Sequence, residues 1–226
     1  MTSPPEVALE LFAPLPGDYE RWAAVLSLGQ DARWRSAMVE RLGLRPGEMA
    51  LDVAAGTGLI TRTVEATGAR VVSVDQSLSM LEQATRRGAV GVIATGERLP
   101  FADGSFDAVT FGYLLRYVAE VPAAIEELAR VLRSGGRMGM VEFGRPRGFW
   151  RPPWILYTRA VLPAAGGLIG RPWRRVGRFL GPSIDTFADA WPPDRLVAAC
   201  EGAGLVGVTI RRMSLGGGLV MTARKR

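Results

Sequence analysis

Four short stretches hold residues able to bind charge or move a proton. The first runs from Asp52 through Ala54 and Gly56 to Gly58, where Thr57 stands between two glycines. Glycines there let a ligand lie directly against the backbone, because no Cβ intervenes. Amides of a helix starting after Gly58 would offer donors to a carboxylate. The second is Asp75, seventeen residues past Gly58. An acid at that distance from a glycine turn suits the hydroxyls of a ribose, with a helix N-cap as the structural alternative. The third is Thr95-Gly96-Glu97, with Leu99-Pro100-Phe101 after it as an apolar wall. The fourth is Gly112 to Tyr117, where Arg116 lies between Tyr113 and Tyr117. Arginine holds its proton above pH 12, so it can stabilise an anion but cannot act as a base. A water or one of the two phenols would have to carry the proton.

These stretches imply a particular scaffold. Met49–Ala54 reads as a buried strand, and Leu59 to Thr67 as a short helix. Further strands fall at 71–75, 90–94, 108–111 and 138–143, with helices near 78–86 and 121–132 between them. Strands alternating with helices make a doubly wound, mostly parallel sheet, whose ligands sit beyond the carboxyl ends of the strands. The third glycine of a dinucleotide fingerprint is absent, since Thr61 takes its place, which points to an adenosine ligand without a pyrophosphate. Helices at 19–28 and 32–44 precede the core. A helix at 194–202 and a hairpin of strands 205–211 and 218–223 follow it.

At 226 residues and 48% apolar content, the chain is long enough for one domain with a large core. We expect a helical cap at 1–46, a cofactor-binding core at 47–144, an inserted lid at 145–190 and a closing helix and hairpin at 191–226. The chain has no histidine and a single cysteine, Cys200. That excludes serine triads, histidine metal sites and a disulfide framework, and no metal is expected. With no basic-then-apolar leader and no long apolar run, a cytoplasmic location is the plain expectation.

The net charge is +6, and Lys225 is the only lysine among 28 basic residues. Eight arginines fall between Arg145 and Arg178 with no acid among them, interleaved with Trp150, Trp154, Tyr157 and Trp173. An anionic membrane surface or nucleic acid would suit that composition. The bland alternative is a solvated arginine face over packed aromatic stems.

Taken together, Leu51-Asp-Val-Ala-Ala-Gly-Thr-Gly58, the acid ending strand two, and Gly96-Glu-Arg-Leu-Pro-Phe-Ala-Asp-Gly-Ser-Phe-Asp107 resemble a class I S-adenosylmethionine-dependent methyltransferase. More narrowly, the chain resembles the ubiquinone/menaquinone C-methyltransferases. Tyr19-Glu20-Arg21-Trp22-Ala23, then Ser27, Asp31 and Trp34, follow the spacing of that family's N-terminal signature. Arg130-Val-Leu-Arg-Ser-Gly-Gly136 with Glu142-Phe143-Gly144 follows its second. Ala23, Asp31, Ser134 and Gly144 depart from it, standing for Asn, His, Pro and Ser.

The resemblance implies a Rossmann-like seven-stranded sheet with a C-terminal antiparallel hairpin and a helical lid insertion. It implies S-adenosyl-L-methionine as cofactor, leaving as S-adenosyl-L-homocysteine. The implied cofactor residues are Tyr19, Asp52, Ala54, Gly56, Thr57, Gly58, Asp75, Gln76, Thr95, Gly96, Glu97 and Gly112. Tyr19 would cover the methionine end, and Asp52 would hold the glycine turn or the amino group. Arg116, Tyr113 and Tyr117 form the implied catalytic group, with a salt bridge from Arg116 to Glu142 or Asp107 as the structural alternative. The implied acceptor is a prenylated quinol such as demethylmenaquinol, a small-molecule or lipid-quinone substrate met at the inner face of the membrane. A homodimer is compatible. Two other readings stay open: a methyltransferase for a small secondary metabolite, and a non-catalytic nucleic-acid-binding relic of the fold. Gly112-Tyr113-Leu114-Leu115 lacks the Asn/Asp-Pro-Pro-aromatic run of base N-methylation, which weighs against nucleic-acid substrates.

Overall fold

The computed structural model describes residues 4–15 and 17–226; residues 1–3 and 16 of the expected N-terminal cap lie outside that range. Three helices open the chain: α1 (Pro4–Phe12), α2 (Tyr19–Leu26) and α3 (Gln30–Leu42). The α1 helix lies within the stretch expected to be a helical cap, ahead of the helices placed at 19–28 and 32–44. The core then alternates β1 (Met49–Val53), α4 (Leu59–Glu65), β2 (Arg70–Asp75), α5 (Leu78–Thr85), β3 (Val90–Ile93), β4 (Phe106–Gly112), α6 (Val121–Arg130) and β5 (Leu132–Phe143). The segment between 148 and 190 is helical, chiefly α7 (Arg151–Leu156), α8 (Leu162–Ile169) and α9 (Arg171–Ala190). The α10 helix (Pro193–Gly202) leads to β6 (Leu205–Met213) and β7 (Gly218–Lys225).

The seven strands lie in the order β3-β2-β1-β4-β5-β7-β6. All are parallel except β7, which runs against both neighbours. Two buried clusters cover the two faces. Leu51, Val109, Ile125 and Leu196 belong to one, and Trp34, Met38, Val64 and Val141 to the other. Strands this apolar on both faces are what a parallel sheet between helical layers requires. Val53 pairs with both Val74 and Phe111, so the carboxyl ends of β1, β2 and β4 finish level.

The largest departure from the sequence reading is the boundary between α6 and β5. The helix expected to run through Leu132 stops at Arg130, and β5 begins at Leu132. Leu132 pairs with Phe106, then the register shifts before Ala108 meets Arg137. Strand pairing at Phe106 thus competes successfully with one more turn of helix.

The insertion is an antiparallel helical hairpin. A Cβ on Gly177 would come within 2.6 Å of the Leu162 carbonyl oxygen, so α8 and α9 touch backbone to backbone. A wide turn at Tyr157–Val161 joins α7 to α8, just before Pro163, which has no amide proton to donate.

Candidate active site

The carboxyl end of β1 is built by a buried hydroxyl network. Asp52 Oδ2 accepts from Thr61 Oγ1 at 2.7 Å, and Oδ1 accepts from Thr110 Oγ1 at 3.0 Å. Thr61 Oγ1 lies 2.8 Å from Ser73 Oγ, so β1, β2, β4 and α4 meet at one point. Asp52 is fully buried, and burial pushes its pKa up to about 7 against the two threonine hydrogen bonds. With both oxygens taken up by neighbours, Asp52 does not line the cavity above; its place is beneath the turn.

The turn itself needs glycine, since Gly56 and Gly58 have φ of +56° and +83°. Gly58 backs onto Ala84 of α5 rather than onto the cavity. Ala54, Gly56 and Thr57 do line it. Gly56 N donates to Asp75 Oδ2 at 2.7 Å, and Ser77 N donates to Oδ1 at 2.8 Å. Asp75 therefore clamps the glycine turn to the start of the next helix. The cap of α5 is Ser77, whose Oγ accepts from Met80 N, so the N-cap alternative for Asp75 gives way. Burial raises the Asp75 pKa, opposed by these amides.

Around the turn the cavity encloses about 480 Å3, a size that suits a small organic ligand. Gln76, Thr95, Gly96 and Glu97 line it along the ends of β2 and β3. Glu97 is fixed by accepting from Ala119 N at 2.7 Å. Leu99 and Phe101, expected as the apolar wall, turn into the core instead. Arg130 donates to both their carbonyls, and Phe101 meets Phe106 edge-on at 5.0 Å. Met80, Ala94 and Leu114 supply the wall.

The opposite end of the cavity lies over β4 and β5. Gly112 and Tyr113 line it; Tyr113 has φ of +59° and stacks on Phe143 at 4.6 Å. Arg116 Nε donates to Glu142 Oε1 at 2.9 Å and NH1 donates to Ser183 Oγ at 3.3 Å. The Arg116–Glu142 ion pair is present as the structural alternative required; Asp107 pairs instead with Arg133. The guanidinium also lies 5.2 Å from the Tyr117 ring and 5.3 Å from Phe143, so it remains part of the cavity surface. Burial and the Glu142 carboxylate raise the Tyr113 phenol well above its ordinary pKa. Tyr19 stacks on Trp173 at 6.0 Å and roofs the cavity, its phenol pushed up to about 12 by burial.

Among the described residues, Thr57 Oγ1 and Tyr117 Oη are buried without a geometric hydrogen bond, each set beside a charged side chain, Glu20 and Arg116. Sequence reasoning passed over one polar cluster. Asp31 and Arg35 of α3 line the same cavity, and Asp31 accepts hydrogen bonds from Arg35 and from Tyr113. Asp31 had stood out only as a departure from a motif.

The basic insertion is less bare than its composition suggested. Arg145, Arg151 and Arg159 converge on Asp185, Arg145 also reaches Asp189, and Arg175 pairs with Glu10. Trp173 is buried, whereas Phe149 and Leu168 are 84% and 92% exposed.

A parallel sheet with one reversed strand next to its edge, and a cavity over the strand ends, is the architecture of Rossmann-like methyltransferases. Solved structures agree on the fold. A methyltransferase from Thermotoga maritima, described as a possible histamine N-methyltransferase, superposes with a TM-score of 0.66 at 19% identity, over 96% of this chain and 98% of that one. A geranyl diphosphate methyltransferase in complex with S-adenosylmethionine gives 0.60 at 16% identity, over 93% and 91%. The chain belongs to the ubiE/COQ5 methyltransferase family, which it matches over residues 5–225. The demethylmenaquinone methyltransferase of Tropheryma whipplei (strain Twist) is 38% identical over 92% of this chain and 87% of its own length. The protein is thus an S-adenosylmethionine-dependent methyltransferase. The glycine turn and the cavity-lining Asp75, with lone pairs to spare, fit that cofactor. Among the described residues no group of three or more His, Cys, Asp or Glu side chains could hold a metal.

Proposed function

We propose that the protein methylates a ring carbon of a prenylated quinol, demethylmenaquinol, in menaquinone biosynthesis. The observation that carries this reading is Arg116, a cation set among Tyr113, Tyr117 and Phe143 at the end of the cavity away from the glycine turn. Bound S-adenosylmethionine supplies an electrophilic methyl group. Asp75 holds the ribose hydroxyls, Ala54 to Thr57 pass backbone past the ligand, and Thr57, Gln76 and Tyr19 take the methionine end. Thr95, Gly96 and Glu97 bracket the adenine, with Gly112 beside the reacting end. Asp52 keeps the turn in place from below.

A quinol carbon becomes nucleophilic as its neighbouring hydroxyl loses a proton. Arg116 stabilises the oxygen anion in a site walled by aromatic rings, where a fixed charge acts more strongly than in water. The enclosure also aligns ring and methyl donor. The helical insertion covers the cavity as a lid, and its exposed Phe149 and Leu168 rest on the inner face of the membrane, from which a prenyl tail enters.

The test is direct. Purified protein is supplied with labelled S-adenosylmethionine and reduced, short-tailed demethylmenaquinone in detergent, and label is sought on the ring. Absence of label with the cofactor demonstrably bound would overturn the quinol assignment.

A further inference from the structure

Loss of the acceptor proton needs a destination, and the reading above leaves it unassigned. Among the described residues three carboxylates line the cavity: Asp31, Asp75 and Glu97. Asp75 is engaged at the glycine turn and Glu97 at the Ala119 amide. Glu142 sits behind Arg116 and does not reach the cavity surface. Asp31 alone of the three is hydrogen-bonded to a second side chain able to pass a proton. Tyr113 Oη donates to its Oδ1, while Arg35 donates to its Oδ2.

The position of Asp31 is enforced from behind. Trp34 Nε1 donates to Ser214 Oγ at 2.8 Å, and Ser214 Oγ donates to Gln30 Oε1 at 2.7 Å, which locks α3 to the β6–β7 turn. A Cβ on Gly218 would fall 2.3 Å from the Trp34 ring, so β7 packs flush against that helix. Asp31 is 7% exposed and lines the cavity. Tyr113 is held by its stack on Phe143, with the Arg116 guanidinium 5.9 Å from its ring.

We propose that Asp31 is the proton acceptor of the reaction, reached through the Tyr113 phenol. The proposal rests on the acceptor being a ring hydroxyl, as in the quinol reading. The acceptor hydroxyl gives its proton to Tyr113 Oη while Tyr113 gives its own to Asp31 Oδ1. Tyr113 is neutral before and after, and Asp31 passes from carboxylate to carboxylic acid. The freed electron pair drives formation of the carbon–carbon bond, and the sulfonium carbon–sulfur bond breaks with its electrons staying on sulfur. The ring carbon then loses its hydrogen to water as the ring oxygen takes the proton back along the same pair. One proton is released overall and Asp31 is regenerated. Tyr113 touches the acceptor; Asp31 acts through it. Arg35 is ion-paired with Asp31, and Arg116 steadies the oxygen anion from the other side, each a cation facing the pair.

Two measurements on the full chain test the relay. The first needs no turnover. A naphthol whose reactive carbon is blocked by a methyl group is compared, by calorimetry, with its methyl ether. The hydroxyl form should bind the parent protein about tenfold tighter, the worth of one hydrogen bond. Tyr113→Phe should erase that preference. The second uses a series of naphthalenediols of increasing hydroxyl acidity. Asp31→Asn should lower kcat about a hundredfold on the least acidic member, and the deficit should shrink as acidity rises, because an ionised acceptor needs no base. Cofactor affinity should stay level in both variants, which separates the relay from a folding defect. A deficit equal across the series, or a naphthol preference that survives Tyr113→Phe, would overturn the relay while leaving the quinol reading intact. A parent enzyme inert toward every diol, with cofactor bound, would overturn both.

Discussion

Arg116 Nε and Glu142 Oε1 are 2.9 Å apart, with side chains 2% and 0% exposed. Removing one partner from such a pair leaves an uncompensated buried charge, at a cost of roughly 3–5 kcal/mol. Arg116→Met should therefore both abolish turnover and lower stability. The double variant Arg116→Met/Glu142→Gln should regain much of the stability and none of the activity. Denaturant melts beside steady-state rates separate the two effects, and an active double variant would exclude Arg116 from the chemistry.

Asp75→Ala should weaken S-adenosylmethionine binding by about 2–4 kcal/mol, since bonds to a charged acceptor are worth about 1.5–3 each. It should also destabilise the free protein, because the Gly56 and Ser77 amides lose their acceptor. Calorimetric titration at a temperature well below the melt gives the first number. An unchanged dissociation constant would refute the ribose role.

Asp52 offers a pH test. Its pKa is about 7 in the folded protein against an ordinary 3.8, so the folded state holds a proton that the unfolded chain releases. Below about pH 4 both states are protonated and the group is silent. Between about 4 and 7 stability falls as pH rises, by up to about 4 kcal/mol in all, and it levels off above that. Asp52→Asn should flatten this part of the profile. Urea melts of parent and variant across the window check it, and parallel curves would contradict the assignment.

Vesicle binding should have two parts. Half of the eight insertion arginines pair with acids of the chain, so the charge-driven part should be modest and lost at high salt. Phe149 and Leu168 should leave a salt-resistant remainder that Phe149→Ser/Leu168→Ser removes. Co-sedimentation with anionic and neutral vesicles reads both, and negligible binding to either would end the membrane reading.

Much of the core was legible because its strands are unbroken apolar runs punctuated by glycine, and Gly58 and Asp75 mark the start of α4 and the end of β2. The α6–β5 boundary was not, because Leu132 is as good in a helix as in a strand and only Phe106 decides. The direction of Leu99 and Phe101 depends on Arg130, about thirty residues away. Asp185 and Asp189 neutralise arginines that composition counted as free. Asp31 escaped notice because its meaning comes from Tyr113, 82 positions along the chain.

The reversed strand β7 also dictates when the enzyme can exist. Ribosomes deliver residues in order, yet β7 lies inside the sheet, between β5 and β6. Until residues 218–225 have emerged, β5 presents a bare edge of unpaired amides and carbonyls, and α3 lacks the surface that Gly218 provides. Open edges invite pairing with other chains. A nascent chain halted before Gly218 would carry the glycine turn and Asp75, but would be a substrate for chaperones rather than a catalyst.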